Sequence, residues 1–153
     1  MPPLREIRHQ AAVVRDHHIL LIHARDQRED SFWLLPGGGS EGSETGEECV
    51  CREVREETHL DVTVVRTLLD EVVPPNDLYH RVRTYLCSAN PEAIASPGEE
   101  PEEYFTATIL EARWFDLRSF DAWPEKALSN PRTMDWSRKV RTALEYETEL
   151  AST

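Results

Sequence analysis

Short apolar stretches separated by polar turns dominate the first third of the chain. Residues 11–14 and 18–23 are apolar on both sides of the polar segment 15–17, a pattern that predicts a β-hairpin. Residues 31–35 predict another short strand, which Pro36 and the three glycines after it bring to an end in a turn. This part of the chain is therefore predicted to consist mainly of strands.

Two segments show helical patterning instead. The first runs from Thr45 to about Thr58, and Thr45 with Glu48 three residues later forms a capping box at its start. The second runs from about Thr133 to Leu150. The apolar stripe of this helix is predicted to pack on the body of the protein. The residues that share this face are Trp136, Val140, Ala143, Leu144 and Glu147.

Further strands are predicted between the helices. Residues 62–69 are rich in β-branched side chains, and residues 79–89 and 108–117 return to strand character. Residues 90–103 are acidic and rich in proline, so a mobile loop with a functional role is expected there. Residues 121–131 are predicted to be irregular. Strands interleaved with helices favour an α/β fold in which helices flank a mixed sheet.

Length and composition limit the classes of function. The 153 residues suffice for a single domain, predicted to span 1–153. The formal net charge of −12, with no run of Lys and Arg to offset it, argues against a nucleic-acid polymer as partner. The first residues are too charged for a signal peptide and the apolar runs are too short to span a bilayer, so we expect a cytoplasmic monomer or homodimer without membrane contact. Small, buried side chains are the expected role of Cys49, Cys51 and Cys87.

The first predicted helix carries a cluster of carboxylates on one face. At about 100° per residue, Glu53, Glu56 and Glu57 fall within an arc roughly 100° wide. Like charges this close destabilise a helix, and Arg52 cannot neutralise all three. Divalent cations would offset the charge, since Mg²⁺ prefers oxygen ligands. The alternative is a glycine-rich turn that leads into an acidic, solvated helix.

The complete spacing around this helix resembles the Nudix box. The matching residues are, in order, Gly38, Glu44, Arg52, Glu53, Val54, Glu56, Glu57 and Leu60. The preceding residues 33–38 also look like the usual lead-in of that family. One position departs from the signature, which has glycine where this chain has His59. Because this position ends the helix in a left-handed conformation, we expect a strained cap at His59 and an intact fold.

The resemblance implies a fold, a reaction and a set of residues. The fold would be the Nudix α/β/α sandwich with a central mixed β-sheet, and the reaction would be attack of water on a phosphorus of a nucleoside diphosphate linked to another moiety. The cofactor would be Mg²⁺, with Mn²⁺ as the alternative ion. The implied metal ligands are Glu53, Glu56, Glu57 and the backbone carbonyl of Gly38. The implied catalytic residues are Glu53 as the candidate general base, Glu57, and Arg52 and Glu44, which would orient the carboxylates.

Residues outside the box would complete the site. Family members often recruit another carboxylate, and Glu111 is favoured as an additional metal ligand. Ranked behind Glu111, as candidate bases, are the acidic-loop residues Glu99, Glu100, Glu102 and Glu103. The residues expected to bind substrate phosphates are Arg25, Gly37, Arg81 and Arg83. Ordinary surface charge accounts equally well for the three arginines.

The substrate is predicted only as a class, a small nucleotide-type diphosphate. Nucleoside triphosphates, ADP-ribose or other sugar nucleotides, and dinucleoside polyphosphates all fit the resemblance. Pro75 lies 15 residues past the box, as in ADP-ribose-type members, and Tyr79 lies 19 past it, slightly beyond the tyrosine of dinucleoside-polyphosphate members. These single residues do not separate the classes. The alternative function is a catalytically weak Nudix-like domain that binds nucleotides, against which the retained box glutamates weigh.

Overall fold

The structure, a computed structural model, describes residues 7–28, 30–74, 79–99 and 107–146. Within these ranges the chain forms strands and helices in an interleaved order. They are β1 (Ile7–Arg15), β2 (His18–Arg25), β3 (Ser31–Leu34), β4 (Gly37–Gly38), α1 (Gly46–Thr58), β5 (Val62–Val72), β6 (Arg81–Ala89), β7 (Thr108–Asp116), α2 (Glu125–Leu128) and α3 (Pro131–Ala143).

The strands form one mixed sheet. The predicted hairpin is confirmed, because β1 and β2 pair antiparallel with Val14 opposite Ile19. Its turn residues Asp16 and His17 both have positive φ, as tight hairpin turns require. β1 pairs in parallel with β6, whereas β5 and β6 are antiparallel. The strand order is β3-β2-β1-β6-β5, with β7 paired to β2 and β4 paired to β1.

Helices cover both faces of this sheet. On the face that carries α1, hereafter the α1 face, the buried cluster comprises Ala11, Val13, Leu20, Val50, Val54, Leu60, Tyr85 and Cys87. On the other, hereafter the α3 face, it comprises Ala12, Ile19, Leu21, Trp33, Leu35, Phe115, Leu117, Trp123, Ala127, Met134 and Val140. Each buried aliphatic side chain contributes about 1.5–3 kcal/mol to this packing. The predicted α/β/α sandwich around a mixed sheet is confirmed.

The carboxyl-terminal part differs from its prediction. Residues 121–131 are not wholly irregular, since they contain α2. α3 begins two residues earlier than predicted, because Asn130 caps it by accepting hydrogen bonds from the amides of Arg132 and Thr133. It ends at Ala143, so the predicted extension is wrong for residues 144–146, which form a turn; residues 147–150, with Glu147, lie outside the described residues. Of the predicted apolar stripe, Val140 is buried and Trp136 and Leu144 pack against the α3-face cluster.

The glycines after Pro36 also differ from their prediction as a simple turn. Gly37 and Gly38 form β4, in which they lie opposite Gln10 and His9 of β1. Two residues are too few to show strand periodicity, so the sequence pattern could not predict this strand. The pairing places the glycine backbone beside α1, where it becomes part of the candidate site.

The three cysteines are free thiols in the positions expected of small apolar residues. Cys49 and Cys87 are buried and Cys51 is partly buried. Burial raises the pKa of Cys87 to about 12, so its thiol stays protonated at neutral pH. None of the helices in the described ranges is both long enough and apolar enough to cross a membrane.

Candidate active site

Helix α1 is fixed at both ends by the residues that the sequence indicated. The Thr45 hydroxyl accepts a hydrogen bond from the Glu48 amide, and the Glu48 carboxylate accepts one from the Thr45 amide. This capping box contributes on the order of 1 kcal/mol to helix stability. The helix ends at His59, whose φ of 62° confirms the expected left-handed cap. The glutamates between these ends are therefore held on a rigid element.

The side chain of Glu53 extends from α1 towards β4 and is fully buried. One carboxylate oxygen accepts a hydrogen bond of 3.0 Å from Nη1 of Arg52. A methyl group added to Gly38 would come within 2.6 Å of the Glu53 carboxyl carbon, so only glycine allows the backbone this close. Burial of a carboxylate is costly unless polar groups surround it. The backbone of β4 thus forms one wall around the Glu53 carboxylate.

Glu57 is buried one helical turn further on. Its Oε1 accepts a hydrogen bond of 2.9 Å from the amide of Gly37. The sequence predicts that Gly37 contacts substrate phosphates, but in the structure its amide donates to Glu57 instead. Gly37 therefore orients the carboxylate of Glu57, which is a positioning role.

Arg52 joins the acidic residues of the site. Its guanidinium makes a bidentate pair with Glu44, with N–O distances of 2.7 and 3.0 Å. Its Nη1 also lies 3.0 Å from Glu53 and 3.0 Å from Glu56. The hydrogen bond from Arg52 lowers the pKa of Glu44, and the same bond is the main cause that raises the pKa of Arg52. This arrangement is consistent with the predicted orienting role of Arg52 and Glu44.

The charges at this site suit a bound cation. Four glutamates share the single guanidinium of Arg52, so negative charge is in excess: Glu41, Glu44, Glu53 and Glu56. Glu56, about one third exposed, opens the group to solvent. Within the described ranges, no three His, Cys, Asp or Glu side chains are close enough to form a complete metal cage. The donor set fits Mg²⁺ all the same, since this ion often binds through one or two carboxylates and completes its shell with waters and substrate phosphates.

Glu111 does not lie with these glutamates. It pairs with His23 of β2 at 3.2 Å and approaches Arg113, on the α3 face of the sheet. A β-bulge explains its position: the register between β2 and β7 shifts between His23 and Ala24. Residues 109 and 111 would share one face of a regular strand, but the bulge sends Ile109 towards α1 and Glu111 away from it. The structure therefore gives no support to Glu111 as a metal ligand.

Two of the predicted phosphate-binding arginines pair with a carboxylate of β5. Arg81 and Arg83 both donate to the carboxylate of Asp70 on β5, at 2.7 and 3.2 Å. The hydrogen bond from Arg81 is the main cause that lowers the pKa of Asp70. The third, Arg25, is exposed at the end of β2. Strand pairing gives Arg81 and Arg83 a common partner on β5, and Arg83 also forms a hydrogen bond with Tyr85, a residue of the α1-face cluster.

The acidic loop meets α1 at its carboxyl end. Backbone amides of Ser96, Gly98 and Glu99 donate to carbonyls of the last helical turn, each at 2.9 Å. The sequence predicts a mobile loop, but these hydrogen bonds hold its described part, residues 90–99, against the helix. Glu99 is thereby placed beside Glu56, while Glu100, Glu102 and Glu103 lie outside the described residues.

A cavity of about 410 Å³ opens on the α3 face of the sheet. Its lining is aromatic and cationic, with Trp33, Trp136 and the guanidinium groups of Arg8 and Arg132. Desolvation lowers the pKa of Arg132, and the positive charge of Arg8 acts in the same direction. The sequence does not reveal this cavity because five separate elements contribute to it, namely β1, β2, β3, β6 and α3.

A second, smaller cleft lies beside Glu57. It is lined by Gly37, Gly38, Glu57 and Tyr79, and it shares Arg8, Phe32 and Leu34 with the larger cavity. Arg8 is held at this junction by a hydrogen bond of 2.8 Å to the carbonyl of Leu35. The two spaces therefore share part of their lining.

Comparison with known proteins identifies the family. The NUDIX domain family matches residues 7–136. "Putative nudix hydrolase 1" of Caenorhabditis elegans is 29% identical over 133 residues, which cover 87% of this chain; the chain spans only 33% of that relative's length.

Solved structures agree with the family match. A MutT NUDIX hydrolase from Burkholderia pseudomallei is 26% identical, with a TM-score of 0.58 over 90% of this chain and 99% of that one. An ADP-ribose pyrophosphatase from Streptococcus suis is 20% identical and shares the fold, with a TM-score of 0.61 over 93% of this chain and 91% of that one. The family match spans most of the chain and includes every residue of the glutamate site on α1, so the chain belongs to the Nudix family of hydrolases.

Proposed function

We propose that this protein hydrolyses a diphosphate linkage in a nucleoside diphosphate joined to another moiety, with Mg²⁺ as cofactor. The observation that carries the proposal is the shared guanidinium of Arg52, which gathers Glu44, Glu53 and Glu56 into one net-negative group. A buried carboxylate such as Glu53 is costly unless its charge is compensated, and a bound metal ion would provide that compensation.

The residues of α1 and β4 would have different roles in this reaction. Glu53, Glu56, Glu57 and the carbonyl of Gly38 would hold the ion. When bound, Mg²⁺ supplies charge stabilisation at the phosphoryl oxygens and lowers the pKa of a coordinated water. Glu53 is the candidate base that accepts a proton from the attacking water. Arg52 and Gly37 keep the carboxylates oriented through the hydrogen bonds described above.

The larger cavity would take the nucleoside part of the substrate. Its aromatic side chains offer flat surfaces to a base, and Arg8 and Arg132 provide positive charge towards the phosphates. The smaller cleft would place the diphosphate next to Glu57. Its volume of about 60 Å³ is small, which suits a linear phosphate chain better than a second base.

The additional carboxylate from outside the box would be Glu99. Its amide is bonded to the Glu56 carbonyl at 2.9 Å, whereas Glu111 lies on the other face of the sheet. Glu99→Gln is expected to lower turnover, and Glu111→Gln to leave it within about twofold, since the Glu111 carboxylate touches no group of the site. Equal losses in the two variants would argue against this assignment.

A substrate panel with a matched pair of variants tests the proposal. Nucleoside triphosphates, ADP-ribose, other sugar nucleotides and dinucleoside polyphosphates are each incubated with the protein and Mg²⁺, and the nucleotide products are quantified. Glu57→Gln is expected to abolish turnover, and Glu47→Gln, an exposed glutamate on the same helix, to preserve it. Tight nucleotide binding with no turnover on the whole panel would instead establish a binding domain.

A further inference from the structure

The carboxyl end of α1 is completed by a distant part of the chain. The last carbonyls of a helix lack partners within the helix. Here the carbonyls of Glu56, Glu57 and Thr58 accept hydrogen bonds from the amides of Glu99, Gly98 and Ser96, in that order. Any side chain at Gly98 would collide with the backbone carbonyl of Glu56. The segment 96–99 is therefore fitted closely to the helix turn that carries two of the proposed metal ligands.

His59 adds a side-chain contact to this junction. Its Nδ1 lies 2.7 Å from Oγ of Ser96. The family signature places glycine at this position, and glycine would offer the loop no side chain at all. The left-handed backbone of His59, with φ 62°, is strained for histidine and relaxed for glycine. The departure from the signature thus coincides with a hydrogen bond that only a side chain can make.

We propose that His59 and Ser96 form a latch that fastens segment 96–99 to the carboxyl end of α1. His59 is a positioning residue in this proposal. By holding the segment in place, the latch keeps the last helical turn capped and the proposed metal ligands Glu56 and Glu57 in register with β4. The catalytic part of this inference rests on the proposed function, whereas the latch itself does not.

Amide hydrogen exchange in the full chain tests the latch without reference to activity. His59→Gly and Ser96→Ala each remove one partner, Ser96→Thr keeps the hydroxyl, and Ser88→Ala changes an exposed serine of β6 as a control. In the first two variants, exchange at the amides of Gly98 and Glu99 should rise by roughly 2- to 12-fold, the range of one net hydrogen bond. Ser96→Thr and Ser88→Ala should retain the original rates.

The double variant His59→Gly/Ser96→Ala gives the sharpest outcome. Since both changes remove the same hydrogen bond, the double variant should exchange no faster than either single variant. Effects that multiply, or unchanged exchange in both single variants, would overturn the latch. His59→Gly also relieves backbone strain, so its melting temperature should be equal or higher, which separates loss of the latch from general unfolding.

Turnover measurements test the positioning role. In His59→Gly and Ser96→Ala, kcat should fall by a factor no larger than the one by which exchange rises, because exchange follows the open population and kcat the closed one. KM should stay within about twofold, since the larger cavity lies on the α3 face. Faster exchange with unchanged kcat would overturn the positioning role. If the unaltered protein turns over no substrate, the proposed function fails, and the exchange experiment still decides whether the latch exists.

Discussion

The two faces of the sheet differ in the origin of their contacts: the α1 face carries a cluster of charged side chains and the α3 face carries a cavity. On the α1 face, buried charges are held by residues close together in the chain, with Glu44, Arg52, Glu53 and Glu56 within one loop and helix. On the α3 face, a cavity is formed by residues from β1, β2, β3, β6 and α3. The charged cluster thus depends on spacing along the chain, whereas the cavity depends on tertiary packing.

Removal of Arg52 should break the α1 face most severely. Arg52→Ala leaves the buried carboxylate of Glu53 without its guanidinium, which should lower the free energy of unfolding by about 3 kcal/mol. Arg55→Ala on the same helix removes only an exposed pair with Asp61 and should cost at most about 1 kcal/mol. Urea unfolding of both variants measures the difference. Equal losses would mean that Arg52 is not central to this face.

A methyl group at Gly38 should disturb the same face by steric means. Gly38→Ala places a carbon 2.6 Å from the Glu53 carboxyl group, and such overpacking should cost about 1–3 kcal/mol and reduce turnover. Gly42→Ala meets open space, so it should cost about 1 kcal/mol through its positive φ and leave turnover intact. Turnover and thermal unfolding are measured in parallel. Full activity in Gly38→Ala would contradict the close approach of β4 to Glu53.

A substitution on the α3 face should weaken substrate binding and leave the chemical step unchanged. Trp136→Ala removes an aromatic wall of the cavity, so KM should rise roughly tenfold while kcat is retained. Arg138→Ala, an exposed change on the same helix, serves as the control. Steady-state kinetics on the substrate found in the panel distinguishes the two constants. A loss confined to kcat would contradict the separation of the two faces.

The smallest effect expected is a change in the dependence of stability on pH. Because Arg52 lowers the pKa of Glu44 in the folded protein, this pair stabilises the fold fully above the ordinary pKa of a glutamate in an unfolded chain. The contribution is lost as pH falls through the lower pKa of the folded state. Glu44→Gln should therefore be less stable than the unaltered protein at neutral pH, with a difference that shrinks in acid. Thermal unfolding across this range checks the prediction, which a constant difference would contradict.

The features that could be predicted from the sequence are those set by neighbouring residues. The capping box at Thr45 and the pair between Arg52 and Glu56 follow from spacing along α1. The helix end at His59 and the role of Glu44 were expected from the resemblance to the family signature. The alternation of apolar residues likewise predicted the hairpin and the helix-flanked sheet. Nothing in these parts requires knowledge of distant contacts.

The features that could not be predicted depend on tertiary structure. One bulge in the pairing of β2 with β7 moves Glu111 to the other face, and no sequence signal marks that bulge. Likewise, Arg81 and Arg83 are basic residues whose partner, Asp70, is set by strand register. The capping of α1 by residues 96–99 required the structure as well, because a proline-rich acidic segment gives no indication of its docking partner.

The parallel pairing of β1 with β6 also determines when the site can form. β1 is synthesised before α1 and β5, and its partner β6 only after them. Non-local pairing of this kind slows folding, since a long loop must close before the contact is gained. A nascent chain that has released α1 but not β6 therefore has the glutamates on a helix without the completed sheet beneath them. Metal binding by the emerging chain should consequently begin only once β6 has been synthesised, so truncation before residue 89 would separate the box sequence from its function.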